Sequence, residues 1–350
     1  MSRPLLSVRR LTIEFPLAGA WPWSRDGLLR AVDDLHFDLH AGEALGIVGE
    51  SGCGKSTLAR ALVGLQASSA GGIVLDGRDL ARLDEKGWRP IRREIQMVFQ
   101  DPLASLDPRM TVAESVEEPL IALCAELDAG ARKARVAELL ERVGLASELA
   151  ARYPHELSGG QCQRAGIARA LSVRPRVLVC DEPVSALDTA VQAQVLALLG
   201  ELQREHNLAL IFISHDLAVV RQLCRRVLVM YLGRVMEQAT ATELFARPRH
   251  PYTRALLAAV PRVEPDGSPP ALLEGELPSP ADPPSGCVFR TRCPMADELC
   301  ARETPHLRRV GEGSYAACHF VQDPAAGELP APMCEGTVGK RRPKRPQPTL

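Results

Sequence analysis

The stretch ALGIVGESGCGKS, residues 44–56, joins an apolar run, Ala44–Val48, to a glycine-rich loop that closes on Lys55 and Ser56. The run has the length of a strand and no polar interruption, as expected of a strand covered by helices on both faces. The loop, Gly49-Glu-Ser-Gly-Cys-Gly-Lys55-Ser56, fits G-x-x-x-x-G-K-[ST], and a helical run over 57–65 follows it. Strand, loop and helix in that order give the pattern a mechanism. Glycines let the backbone turn tightly, so the N–H groups of Gly49, Ser51, Gly52, Cys53, Gly54 and Thr57 can converge on phosphate oxygens. The helix adds its positive end to the same anion. In this reading Lys55 reaches the β- and γ-phosphates, and the Ser56 hydroxyl takes Mg²⁺.

Outward from that loop, strand and helix signals alternate over the first 260 residues, which predicts an α/β fold with a mainly parallel sheet. Residues 177–180 and 209–213 read as central strands. Between them Val191, Val195, Leu198, Leu199 and Leu202 recur at helical spacing. Asp76-Gly77, after 72–75, predicts a tight turn. From 110 to 170 the strand signal disappears and segments such as 131–143 look helical, so a mostly helical insertion, about 103–170, is expected. At the end of the run Val177-Leu-Val-Cys, two acids follow, Asp181 and Glu182. The carboxyl edge of a parallel sheet is where such folds hold ligands. Asp181 is expected to support Mg²⁺ through its water shell, and Glu182 to orient and deprotonate an attacking water, a role worth 10²–10⁴ in rate. An Asp-Glu pair at a strand end is by itself often a solvated helix start; the upstream loop is what gives this one weight.

The bulk numbers narrow the class. With 350 residues, 46% hydrophobic, 24% charged and a formal net charge of -1, the chain is an ordinary globular one, without the charge excess of a nucleic-acid binder. No apolar run approaches the roughly 18 residues of a membrane span, and the amino terminus lacks the apolar core of a secretory signal, so a cytoplasmic protein is expected. Of ten cysteines, Cys53, Cys124, Cys162, Cys180 and Cys224 are scattered, whereas Cys287, Cys293, Cys300, Cys318 and Cys334 fall in the last quarter. A proline-rich stretch, 261–285, separates the two groups. The expected organisation is therefore 1–260 as the nucleotide-binding unit, 261–285 as a linker, 286–325 as a cysteine-containing module, and 326–350 as a basic tail.

A third motif, Leu157-Ser158-Gly159-Gly160-Gln161, follows the loop and precedes the Asp-Glu pair. In that order the three resemble the motif set of ABC ATPases, over about residues 5–250. The resemblance implies a P-loop NTPase with a mainly parallel central sheet, an antiparallel β subdomain and a helical insertion, which hydrolyses ATP with Mg²⁺. It extends to Gln100 in VFQDP, which resembles the Q-loop that senses Mg²⁺ and the attacking water. Ser185-Ala-Leu-Asp188 resembles the D-loop, and His215 in Ile213-Ser-His-Asp resembles the switch histidine at the γ-phosphate. Glu182, His215, Gln100 and Lys55 are then the catalytic set. Ser158, Gly159, Gly160 and Gln161, at the start of a helix, form a second anion site that serves the nucleotide of a partner cassette in a head-to-tail dimer. Phe15 is expected to stack on adenine, with Trp21 and Trp23 as rivals. Cys162 departs from the larger polar residue of many relatives and leaves the motif intact.

The tail GELPSPADPPSGCVFRTRCP, with Cys300 and Ala-Cys318-His319 beyond it, resembles that of oligopeptide and dipeptide importer ATPases. Cys287, Cys293, Cys300 and Cys318 are spaced C-x5-C-x6-C-x17-C. Four thiolates can hold a [4Fe–4S] cluster or Zn²⁺; the resemblance favours iron–sulfur, and a set of free thiols is the alternative. As a peptide-importer ATPase the chain would work with a second ATPase subunit beneath two transmembrane permease subunits. These receive cargo from an extracytoplasmic binding protein, and no nucleic acid is involved. Nickel or glycoside cargo, or a non-transport ABC ATPase, are the competing readings.

Overall fold

The structure, a computed structural model, describes residues 3–17, 27–81, 83–185, 187–259 and 275–321. Trp21, Trp23, the first part of the expected linker (261–274) and the expected tail (326–350, with Cys334) lie outside them.

The chain begins with two long strands, β1 (Leu6–Pro16) and β2 (Leu28–Leu39). Along β2 the side chains of Leu35, Phe37 and Leu39 are buried while His36 and Asp38 are exposed, the period-two pattern of a sheet wet on one face. Next come β3 (Ala44–Val48), α1 (Lys55–Leu62), β4 (Ala70–Leu75), β5 (Arg78–Asp79), α2 (Glu85–Glu94) and β6 (Ile95–Val98). Strands β2-β1-β4-β5 form an antiparallel sheet. Asp76 (φ 47°) and Gly77 (φ 80°) make its expected tight turn, with both central residues at positive φ as a type I′ hairpin requires.

The insertion is helical, as its sequence predicts: α3 (Val112–Leu123), α4 (Ala129–Arg142), two 3₁₀ turns at Ser147–Ala151 and Pro154–Glu156, and α5 (Gly159–Leu171). After it run β7 (Val177–Asp181), α6 (Thr189–His206), β8 (Ala209–Ser214), α7 (Leu217–Leu223), β9 (Arg226–Tyr231) and β10 (Arg234–Thr240). These are followed by α8 (Ala241–Ala246), α9 (Pro251–Ala258), α10 (Glu298–Arg302), β11 (Arg308–Gly311) and β12 (Ser314–Ala316).

The second sheet has the order β11-β12-β10-β9-β3-β8-β7-β6. Its five strands from β9 to β6 are parallel, and β3, β7 and β8 are buried along their whole length. Each such side chain contributes about 1.5–3 kcal/mol on leaving water, which is why these runs could be read without periodicity. The antiparallel end is different. Strand β12, from the cysteine-containing segment, pairs with β10 through Glu237↔Ala316 and Gln238↔Tyr315. The C-terminal segment thus adds a hairpin to the cassette's own sheet.

Candidate active site

The carboxyl ends of β3, β7 and β8 lie side by side, so the loop after β3, the acids after β7 and the histidine after β8 meet at one edge. The loop 49–54 needs its glycines. Gly54, the cap of α1, has φ 102°, and a Cβ there would lie 2.0 Å from the Ala31 carbonyl oxygen. Gly52 (φ 80°) would meet nothing within 4 Å, so the loop's concave side faces open space. No side chain caps α1, and its first amides remain available.

Lys55 is only 4% exposed and donates to the carbonyls of Gly49 (2.8 Å) and Glu50 (2.9 Å). Among the described residues it forms no ion pair. A buried ammonium with neutral partners only is costly, and an incoming phosphate would supply its counter-charge. The loop therefore fits a polyphosphate. Ser56 Oγ donates to Asp181 Oδ1 at 3.2 Å. Burial pushes the Asp181 carboxyl above its usual range, against the Ser56 hydrogen bond and Lys55, which pull it down. Hydroxyl and carboxylate oxygens suit Mg²⁺, which takes few protein ligands and completes its shell with phosphate oxygens and water. This pair fits that ion.

Glu182 is the meeting point of three elements. Its Oε2 accepts from Gln100 Nε2 at 3.0 Å and lies 3.2 Å from His215 Nδ1. Its backbone has φ 46° and its N–H donates to the Ile213 carbonyl, so a non-glycine residue is held left-handed at the strand end. The carboxylate side chain is 13% exposed, with the His215 ring, 57% exposed, on its solvent side.

A cavity of about 290 Å³ joins most of these groups, lined by Phe15, Ser51, Gly52, Gly54, Lys55, Ser56, Thr57, Gln100 and Glu182. Phe15 is thus at the cavity. Cys53 is a loop residue whose thiol is buried in the core, and Gly49 sits beneath the cavity rather than on its wall. Leu29, Arg30, Ala31, Leu232, Gly233 and Pro280 complete the lining. None was singled out from the sequence, because strand β2, a hairpin turn and a proline-rich stretch carry no local sign that they border this loop. A larger cavity of about 920 Å³ lies between the antiparallel sheet and the C-terminal segment. Its charges are spent on one another, as in Arg10–Asp34, Arg30–Glu14 and Arg234–Asp33.

The second anion site stands apart. Ser158 caps α5: its hydroxyl accepts from Gln161 N–H (3.3 Å) while Gln161 Oε1 accepts from Ser158 N–H (2.9 Å), a closed capping box. Ser158 and Gly159 are exposed, Gly160 packs near Val191, and none of the four lines the cavity. Asp188 likewise caps α6, accepting from Ala190 and Val191 N–H, and does not reach the cavity.

The [4Fe–4S] expectation is not supported. Among the described residues no group of three or more His, Cys, Asp or Glu is arranged to hold a metal ion. Cys287 and Cys300 are packed in the large core with Val288 and Phe289, Cys293 lies against it, and Cys318 belongs to a separate cluster with Val310, Ala316 and Val321. Burial raises the Cys287 and Cys293 thiols, the latter to about 11, with the neighbouring cysteines adding to the shift.

Residues 32–185 match the family model described as ABC transporter, and 236–300 match that of the oligopeptide/dipeptide transporter C-terminal region. The chain is similar to the oligopeptide transport ATP-binding protein OppF of Haemophilus influenzae, 51% identical over 90% of this chain and 96% of that one. The OppF protein of Escherichia coli is 52% identical over 89% and 93%. Among solved structures, the post-hydrolysis dimer of the ATP-binding cassette MJ0796 bound to ADP and Pi covers 67% of this chain and 98% of its own. It has 29% identity and a TM-score of 0.62.

Proposed function

The chain belongs to the ABC transporter ATP-binding family, in the group with the oligopeptide/dipeptide C-terminal region, and is an ATPase; from this we propose that it energises the import of oligopeptides. The observation that carries the proposal is the convergence on Glu182, whose one oxygen is within hydrogen-bond reach of both Gln100 and His215. The carboxylate is thereby aimed, and it orients a water and takes its proton. With Nδ1 engaged, the second nitrogen of His215 is left for the γ-phosphate. Lys55 balances the β- and γ-phosphate charge, and Phe15 offers a ring to adenine. Ser56 and Asp181 would hold Mg²⁺, which would supply positive charge to offset the negative charge developing on the phosphates.

Ser158, Gly159, Gly160 and Gln161 serve the nucleotide of a second cassette. Their exposed position away from the chain's own cavity supports this head-to-tail pairing, and MJ0796 is itself a dimer. Asp188 then orders the segment between the two sites through its cap on α6. No helix among the described residues is long and apolar enough to cross a membrane. Two permease subunits supply the channel, loaded by an extracytoplasmic binding protein, and the cassette docks peripherally on their cytoplasmic side. The docking loop is 100–108, whose Leu103 is 52% exposed and whose Ser105 carbonyl accepts from Arg169 of α5. The loop is thus tied both to Glu182 and to the signature helix, the two parts that a permease movement has to reach.

The test is uptake of a peptide panel by proteoliposomes holding the permease pair, both cassettes and the binding protein. ATP-dependent uptake is expected, and Glu182→Gln lowers hydrolysis by about 10²–10⁴ while ATP is still bound. Uptake of nickel or glycosides in place of peptide overturns the cargo. Hydrolysis unchanged in Glu182→Gln removes the base.

A further inference from the structure

Glu50 is the one acidic residue of the phosphate loop, and every polar group it has is held. Its N–H donates to the Tyr252 hydroxyl at 2.9 Å, and its carbonyl accepts from Lys55 Nζ at 2.9 Å. Its carboxylate is gripped from the far end of the sequence. Arg292 Nη1 lies 2.6 Å from Oε2 and Nη2 3.0 Å from Oε1, a two-pronged pair closed across 242 residues. The Arg292 side chain is 5% exposed. It lies over the Tyr231 ring, whose edge-to-face neighbours are Tyr252 (4.8 Å between centroids) and Phe289 (5.3 Å). Phe289 belongs to the same C-terminal segment as Arg292, whose N–H donates to its carbonyl. Pro280, from that segment too, lines the nucleotide cavity. The segment therefore reaches the phosphate loop by a charge, by a ring cluster and by the cavity wall.

We propose that Arg292 is a positioning residue of the phosphate loop: by clamping and neutralising Glu50 it keeps a carboxylate from opposing the phosphates, so that the C-terminal segment 275–321 sets the cassette's affinity for ATP. The proposal rests on the reading of Gly49–Thr57 as the ATP phosphate site. An unpaired Glu50 would bring negative charge to a loop whose amides and lysine receive an anion, and in a partly buried site such repulsion is only weakly screened. It would also free one of the three anchors of the Glu50 backbone and side chain, at the point where the loop leaves β3.

The test is Mg-ATP affinity by calorimetry and steady-state hydrolysis, on full-length protein whose folding is checked by thermal unfolding without nucleotide. In Arg292→Gln the Kd and KM for ATP are expected to rise about tenfold, with kcat changed less than about twofold. Adding Glu50→Gln removes the unpaired charge and should bring affinity back to within about threefold of wild type. Glu50→Gln alone removes the one negative charge of the phosphate loop and should hold binding at wild-type strength or tighten it a few-fold. Wild-type affinity in Arg292→Gln overturns the proposal. So does equal weakness of Arg292→Gln and the double variant, the result if the pair merely docks the segment. Should Arg292→Gln fail to fold, weaker binding by Glu50→Gln alone overturns it as well. Wild-type protein that binds no ATP, or Lys55→Ala that binds it equally well, instead removes the underlying phosphate-loop reading.

Discussion

Two helix starts in this chain suit an anion, and they spend their first amides in opposite ways. At α1 the cap is Gly54, no side chain folds back on the helix, and Lys55 is buried among neutral carbonyls. At α5 the cap is Ser158, which with Gln161 closes a reciprocal pair of hydrogen bonds at the surface, with no charged group in the box. The first end is open and carries a cation in need of a counter-charge. The second is neutral, and the box holds the amides of Ser158 and Gln161 while making no use of those of Gly159 and Gly160 or of the Ser158 hydroxyl proton. On the proposed reading an anion occupies the α1 end first, because only that end carries a cation. On the proposed head-to-tail pairing, the α5 end engages when a partner's nucleotide is presented to it.

That contrast can be broken most directly at Lys55. Lys55→Ala should weaken ATP binding by about 10- to 100-fold, the loss of charge-assisted bonds to phosphate, while the α5 cap is untouched. Isothermal calorimetry on the monomer decides it; unchanged affinity would make the open end no more of a site than the closed one. The pH dependence sharpens the contrast further. Burial raises Asp181, so as pH falls its carboxylate protonates before exposed acids do, and Mg²⁺ loses a partner at the α1 end. Mg-ATP affinity should then drop by up to about tenfold per pH unit, whereas ATP without Mg²⁺ should change less. No titratable side chain sits in the capping box of Ser158 and Gln161. Parallel loss with and without Mg²⁺ would locate the titration elsewhere. The smallest effect belongs to Ser158→Ala, which should cost about 1 kcal/mol of stability as a lost cap. It should leave single-chain ATP affinity alone and reduce ATP-driven pairing and hydrolysis. Normal pairing by size-exclusion chromatography with ATP would deny the α5 end any part in binding.

Much of this was legible because local pattern and global fold agree. Ala44–Val48 and 177–180 are continuously apolar and became the buried centre of the sheet, and Asp76-Gly77 could be little else than a tight turn. The capping box was spelled in order as Ser158-Gly-Gly-Gln161. What escaped was non-local or ran against a rule. Pro90 lies inside α2 and Pro119 inside α3, where a helix reading would stop. Strand β12 is three residues long and is set by β10, nearly eighty residues earlier, rather than by its own sequence. The Arg292–Glu50 pair has no signature at either end, since one arginine in FRTRCP looks like another. The cysteines misled for the opposite reason. Their spacing is a one-dimensional regularity, and among the described residues it is not matched by a group arranged to hold a metal ion.

The hairpin of β11 and β12 has a bearing on solubility. It closes the flank of the large sheet, and the border it leaves is only Arg308–Gly311, with two exposed arginines. Short, cationic borders resist pairing with another molecule's backbone. Were this hairpin cut away, the outermost ladder would be the seven-residue β10, with Val235, Met236 and Ala239 along it. In this chain β11 and β12 act as a stopper against edge-to-edge aggregation.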